Sequence, residues 1–147
     1  MTDAQHDWLS RCVFMKRTLI NPADIAPPIS KYTHGVRVEI GDTALIFVSG
    51  QIALDSEGKI IGLGDITTQT DYVFKEMEVI LKACGASLED VVKATIFVTD
   101  MRNFQKVASV RNKYFSETPP ATTFVEVNKL VHDDCLVEIE AIAAIEK

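Results

Sequence analysis

Glu138 and Glu140 stand two residues apart in the run Leu136-Val137-Glu138-Ile139-Glu140-Ala141-Ile142-Ala143. The alternation has the period of a strand, so both carboxylates leave one face about 7 Å apart. A partly buried carboxylate can orient a water molecule and take its proton as the water adds to an electrophilic carbon. Solvated side chains, or carboxylates paired at a subunit edge, give the same pattern.

Other groups carry weaker signals. His34 and His132 could exchange protons near neutral pH, but His132 lies in a polar His-Asp-Asp turn, whereas His34 closely follows Tyr32 and could share a cleft with it. A phenol such as Tyr32 can hydrogen-bond a ligand or cover its apolar side, and can equally be a plain anchor. Gly50, at the end of an apolar run, allows close backbone approach to a ligand or a simple bend. The three cysteines, Cys12, Cys84 and Cys135, have no local base that marks a nucleophile. Their odd, scattered count suits reduced thiols in a cytoplasmic protein better than a disulfide framework. Neither they nor His6, His34 and His132 show metal-ligand spacing, so no metal and no cofactor are expected.

The elements that must position these groups follow from pattern. Residues 1–16 read as an N-terminal extension and 17–147 as a single domain. Asn21-Pro22 and Pro27-Pro28 mark an extended lead-in. Val36, Val38 and Ile40 alternate with Arg37 and Glu39 as in a half-buried strand, Gly41-Asp42 turns the chain, and residues 44–48 form an apolar strand. Asp55 to Gly64, with three glycines, is a loop. Asp65 or Thr67 caps a helix presenting Val73, Met77, Ile80, Leu81 and Cys84 before Gly85 stops it. A capped turn over 87–90 leads to a strand over 91–98. Asp100 caps a second helix in which Phe104, Val107, Ala108, Arg111 and Phe115 share a face. Strands over 122–128 and 136–145 complete a ββαβαββ order, an α+β domain. Two helices cover one face of such a sheet. Val137, Ile139, Ala141, Ala143 and Ile145 suit that face, while the mixed opposite face suits a subunit interface containing a site.

Composition bounds the function. With 147 residues, 47% of them hydrophobic and 24% charged, the chain can build one real core. A net charge of -6 and no basic stripe make nucleic acid an unlikely partner. No apolar run approaches the ~20 residues of a membrane span, and the first 30 residues lack the apolar segment of a secretory signal.

Tyr32, the run Val48-Ser49-Gly50-Gln51, the run Leu88-Glu89-Asp90-Val91-Val92-Lys93 and the segment Pro119 to Ala143 together resemble the YjgF/RidA family of enamine/imine deaminases, over about residues 17–145. The resemblance implies a chorismate-mutase-like domain, two helices on one face of a mixed sheet, assembled as a homotrimer with sites between subunits. It implies that Glu138 positions a water near a substrate imine carbon and that Tyr32 and Gly50 line the cleft. In that family Pro-Ala-Arg usually precedes Val-Glu-Val, and the arginine holds the substrate carboxylate. Here the slot is Thr122, and Phe124 stands where many members have a small residue. A threonine offers one neutral donor in place of a charged, two-pronged grip. The expectation is a divergent deaminase or hydrolase whose small imine, enamine or amide-like substrate lacks an α-carboxylate, with Thr122 and Phe124 lining the pocket. Arg111, standing where members often carry tyrosine, or Arg37 is a candidate replacement cation. The alternative is a trimer that binds a small molecule without turning it over.

Overall fold

The computed structural model describes residues 14–115 and 117–147. Most of the expected extension, including His6 and Cys12, lies outside them. Among the described residues are six strands and two α-helices: β1 (Met15–Ile20), β2 (Gly35–Ile40), β3 (Thr43–Gln51), α1 (Ile66–Ala83), β4 (Val91–Val98), α2 (Phe104–Tyr114), β5 (Ala121–Glu126) and β6 (Val137–Glu146). The order agrees with the sequence reading apart from an added first strand. β1 begins inside the expected extension and pairs antiparallel with β2.

The sheet order is β1-β2-β3-β6-β4-β5. Only β4 and β5 run parallel, joined through α2; β6 lies antiparallel to both β3 and β4. Register fixes the faces. Ala44, Ile46 and Val48 of β3, Val137, Ile139, Ala141 and Ala143 of β6, and Ala94, Ile96 and Val98 of β4 are buried toward the helices. They meet Val73, Phe74, Met77, Ile80 and Leu81 of α1 and Val107 and Val110 of α2 in one core.

Local chemistry sets the helix ends. The Asp65 carboxylate accepts from the Thr67 and Thr68 backbone N–H groups at 3.0 and 3.3 Å, opening α1. Gly85, at φ +81°, turns the chain out of it. The Arg37 guanidinium donates to the Cys84 carbonyl at 2.6 Å and pairs with Glu39 at 3.1 Å. Arg37 therefore closes the end of α1 and is already committed, which removes it as a replacement cation.

β2 contains an inversion of pattern. Arg37 and Glu39 point to the helix side, opposite Ile46 and Ala44, whereas Val36, Val38 and Ile40 share the open face with Leu45 and Phe47. That open face continues through Ile142 and Ala144 of β6 and Phe97 of β4. Leu19, Ile40 and Phe47 are exposed there, so the face without helices is largely apolar over β2 and β3, while Glu138 and Glu140 of β6 also lie on it.

Candidate active site

The candidate site begins where β3 meets β6. Register shifts between Val48 and Gln51 as β3 passes β6, and Gly50 lies in that irregular stretch. The Glu138 carboxylate occupies the space that a side chain at position 50 would fill, touching where a Cβ would stand. Any side chain at position 50 would push the Glu138 carboxylate out of this place, whatever the backbone conformation.

Around this contact is an open cavity of about 330 Å³. Glu138, Ser49 and Tyr32 supply its polar groups, Gly50 and Ser30 its close backbone, and Ile29, Ile52 and Val131 its apolar wall. Three elements hold the lining. The Ser49 hydroxyl donates to the Thr33 carbonyl at 2.5 Å, and the Ser49 N–H donates to the His34 carbonyl at 2.9 Å. Asn21 Oδ1 accepts from the Thr33 hydroxyl and the His34 N–H, pinning the lead-in that carries Tyr32. Gln69, fully buried on α1, donates to the Asp134 carbonyl at 2.9 Å and accepts from the Leu136 N–H at 2.8 Å, fixing the entry to β6.

Burial, and after it the charge of Glu140, push the Glu138 carboxyl above the usual range. A carboxylate so placed is a stronger base than a solvated one and can take a proton from water. Glu140 lies on the same face but lines a neighbouring depression with Val36, Phe47 and Ile142. Burial pushes the Cys135 thiol up to about 11, with Glu138 and Asp134 adding to the shift, and also raises Cys84. Both thiols stay protonated near neutral pH, so neither is an activated nucleophile.

Thr122 and Phe124 are not in this cavity within one chain. Their register with Ala94 and Ile96 puts them on the helix side of β5, opposite in face to Glu138. Phe124 packs edge-on against Phe104 of α2, ring centres 4.9 Å apart. Thr122 lines a separate depression of about 220 Å³ with Arg111, Asn112, Phe115 and two prolines. The Arg111 guanidinium donates only to the neutral Asn112 side chain, at 3.0 and 3.2 Å, among the described residues. His132 is exposed and its Nδ1 accepts from the Asp134 N–H. His34 is buried beneath Tyr32, with ring centres 5.9 Å apart. Among the described residues no group of three or more His, Cys, Asp or Glu side chains could hold a metal ion. Nor is any described helix long and apolar enough to cross a membrane.

Sequence reasoning missed Glu76. It is 7% exposed on α1, and burial pushes its carboxyl up to about 7, the nearby Tyr72 hydroxyl drawing it partly back. The signal was present, since Glu76 is three residues after Val73 and four before Ile80, on the stripe that faces the core.

Comparison with known proteins extends this picture. A family model described as Endoribonuclease L-PSP matches residues 23–145. A RutC family protein of Pyrococcus abyssi is 41% identical over 129 residues, 88% of this chain and 98% of its own. The 3-aminoacrylate deaminase RutC of Acinetobacter baylyi is 32% identical over 129 residues, 88% of this chain and 98% of its own. The crystal structure of Escherichia coli TdcF with bound serine superposes with a TM-score of 0.76 at 31% identity, covering 88% of this chain and 99% of that one.

Glu76 makes a pH-dependent contribution to stability. Its folded form holds a proton more tightly than the unfolded chain, so stability is lost as pH rises from the ordinary carboxylate range through about 7. Glu76→Gln should flatten that decline and stabilise the protein at pH ~8 by a few kcal/mol. Urea unfolding of both proteins across this pH range is the check; parallel profiles would show that Glu76 does not titrate in this way.

Proposed function

Since the chain belongs to the YjgF/RidA family, we propose that it hydrolyses a small imine or enamine to a carbonyl compound and ammonia, with Glu138 as the general base. The observation that carries this reading is the half-buried Glu138 carboxylate lodged against Gly50, at the floor of the 330 Å³ cavity. An enamine first takes a proton from solvent at carbon to become the iminium ion. Water then adds to the C=N carbon while Glu138 takes one of its protons, giving a neutral carbinolamine. Glu138 returns that proton to the nitrogen, and the C–N bond breaks with its electron pair going to ammonia as C=O forms and the hydroxyl proton leaves to solvent. Tyr32 and Ser49 border the space this nitrogen occupies, and the apolar wall of Ile29, Ile52 and Val131 accommodates a short carbon chain.

Thr122 leaves the family's arginine slot neutral, but Arg111 shares its depression and has no carboxylate partner among the described residues. This favours Arg111, reaching from α2, as the group that holds a substrate carboxylate. The Glu138 cavity and the Arg111 depression lie on opposite sheet faces of one chain, so the complete site combines the two halves from neighbouring copies. The apolar open face supplies the surface for that assembly, a homotrimer. RNA is a poor substrate in this reading, because a net charge of -6 and the carboxylates of Glu138 and Glu140 repel a phosphate backbone.

Light scattering should give a particle of about three times 16.3 kDa at micromolar concentration. A stable monomer would exclude a site shared between copies. On whichever imine or enamine a screen yields, Glu138→Gln should lower the single-turnover rate ~10²–10⁴-fold while leaving ligand affinity nearly unchanged. Glu140→Gln serves as the same-face control. Wild-type turnover by Glu138→Gln would assign the base elsewhere; tight binding with no turnover by the wild type would leave a non-catalytic binding trimer. Arg111→Met should raise KM for a 2-imino acid by ~10²-fold and leave a matched imine without a carboxylate unaffected. Equal effects on both would return the substrate preference to neutral compounds hydrogen-bonded by Thr122.

A further inference from the structure

A second, more enclosed chamber of about 30 Å³ adjoins the larger cavity. The two share Ile29, Tyr32, Gly50 and Ile52, and Glu76 and His34 line the smaller one alone. A chamber of this size holds one or two molecules as small as water, given polar partners.

The polar groups there call for a particular kind of occupant. His34 Nε2 lies 2.8 Å from the Ala26 carbonyl oxygen. A carbonyl only accepts, so Nε2 donates there, and in the tautomer with a single ring proton Nδ1 presents a lone pair. That Nδ1 is buried and has no partner, on a residue only 5% exposed. Glu76 supplies further acceptors; the Tyr72 hydroxyl hydrogen-bonds its carboxylate, but none of the ion pairs among the described residues includes it. The chamber therefore holds an unpartnered acceptor and a carboxylate without a cation; Tyr32 and Gln51, whose amide donates to the Ser49 carbonyl, are its other polar side chains, and the remaining side chains of the wall are apolar.

Buried groups of this sort are costly unless something donates to them. Water fits the space but leaves the carboxylate charge unbalanced. A hard metal cation needs a shell of oxygen ligands that these walls do not offer. Ammonium is as small as water, carries the missing charge and has only donors to offer. We propose that this chamber is a binding site for a single ammonium ion, held between the Glu76 carboxylate and His34 Nδ1. The inference stands on the chamber alone and requires no catalysis. Were the proposed hydrolysis correct, the site would also adjoin the cavity where ammonia is released.

The test is thermal unfolding of the whole protein, without substrate, at pH ~8, where Glu76 is largely ionised and ammonium persists. Sodium chloride is replaced stepwise by ammonium chloride at fixed ionic strength. The wild-type Tm should rise by a few degrees and level off, as for a ligand that binds only the folded state. Tetramethylammonium, too large for the chamber, should give no rise. Glu76→Gln should abolish the response. If that variant fails to fold, His34→Leu, which removes the lone pair, should raise the half-maximal ammonium concentration ~10-fold. Identical Tm values in sodium and ammonium would overturn the site, leaving water as the occupant. An equal rise with potassium would overturn the assignment to ammonium. Neither result depends on whether the protein turns over an imine.

Discussion

The double pairing of β6 is the constraint on which the rest of the molecule depends. As the last strand in the chain it enters between β3 and β4 and is antiparallel to both. A strand in that position must present one face to the helices, and its two-residue period then sends every other side chain the opposite way. Burying Val137, Ile139, Ala141 and Ala143 therefore commits Glu138 and Glu140 to the open face. A slip of one residue would drive both carboxylates into the core, at a cost no such core could sustain. The position of the proposed base thus follows from the packing of its apolar neighbours. Gln69 reinforces the register by holding the Leu136 N–H just before β6 begins.

Against that fixed strand, small features of neighbouring elements determine the site. The register shift near the end of β3 brings Gly50 beside Glu138, and the absent side chain is the space the carboxylate uses. Ser49 and Asn21 tie the lead-in to the same corner, so Tyr32 arrives on a segment with few regular backbone hydrogen bonds of its own. Burial raises the proton affinity of Glu138, and Glu140 strengthens the effect from the same face. Glu76 lies deeper, on the stripe of α1 that packs against the sheet, and experiences the stronger form of the same desolvation. One sheet corner thus carries two carboxyls of raised proton affinity, in adjoining cavities that both reach Gly50.

Within one chain the two faces of the sheet keep the Glu138 cavity apart from the Arg111 depression. Val36, Val38, Phe47, Phe97 and Ile142 form an apolar surface that the two helices never reach, because both lie on the other side. The Arg111 and Thr122 depression belongs to that other side, at the β5 edge. The edge strand and α2 can therefore vary without disturbing the corner that holds Glu138 and Gly50.

Much of this was settled by local pattern. The alternation in residues 137–145 determined which face of β6 is buried, Asp65 and Gly85 set the ends of α1, and the runs around Gly50 and Glu138 carried the family resemblance. These features are legible because side-chain period, capping and turn chemistry act over a few residues. Tertiary structure decided what depends on partners distant in sequence. It paired residues 15–20 with β2, and it turned Arg37 and Glu39 of β2 toward the helix side, where Arg37 finds the carbonyl end of α1. It separated Thr122 and Phe124 from Glu138, since the parallel register of β5 with β4, unlike alternation alone, says which side its odd and even residues occupy. It also buried Glu76 and His34 together behind Gly50, from segments some forty residues apart. The sequence by itself determined which residues could share a face; only the pairing of strands and the docking of α1 decided what each face would meet, because those choices are made by contacts between elements rather than within them.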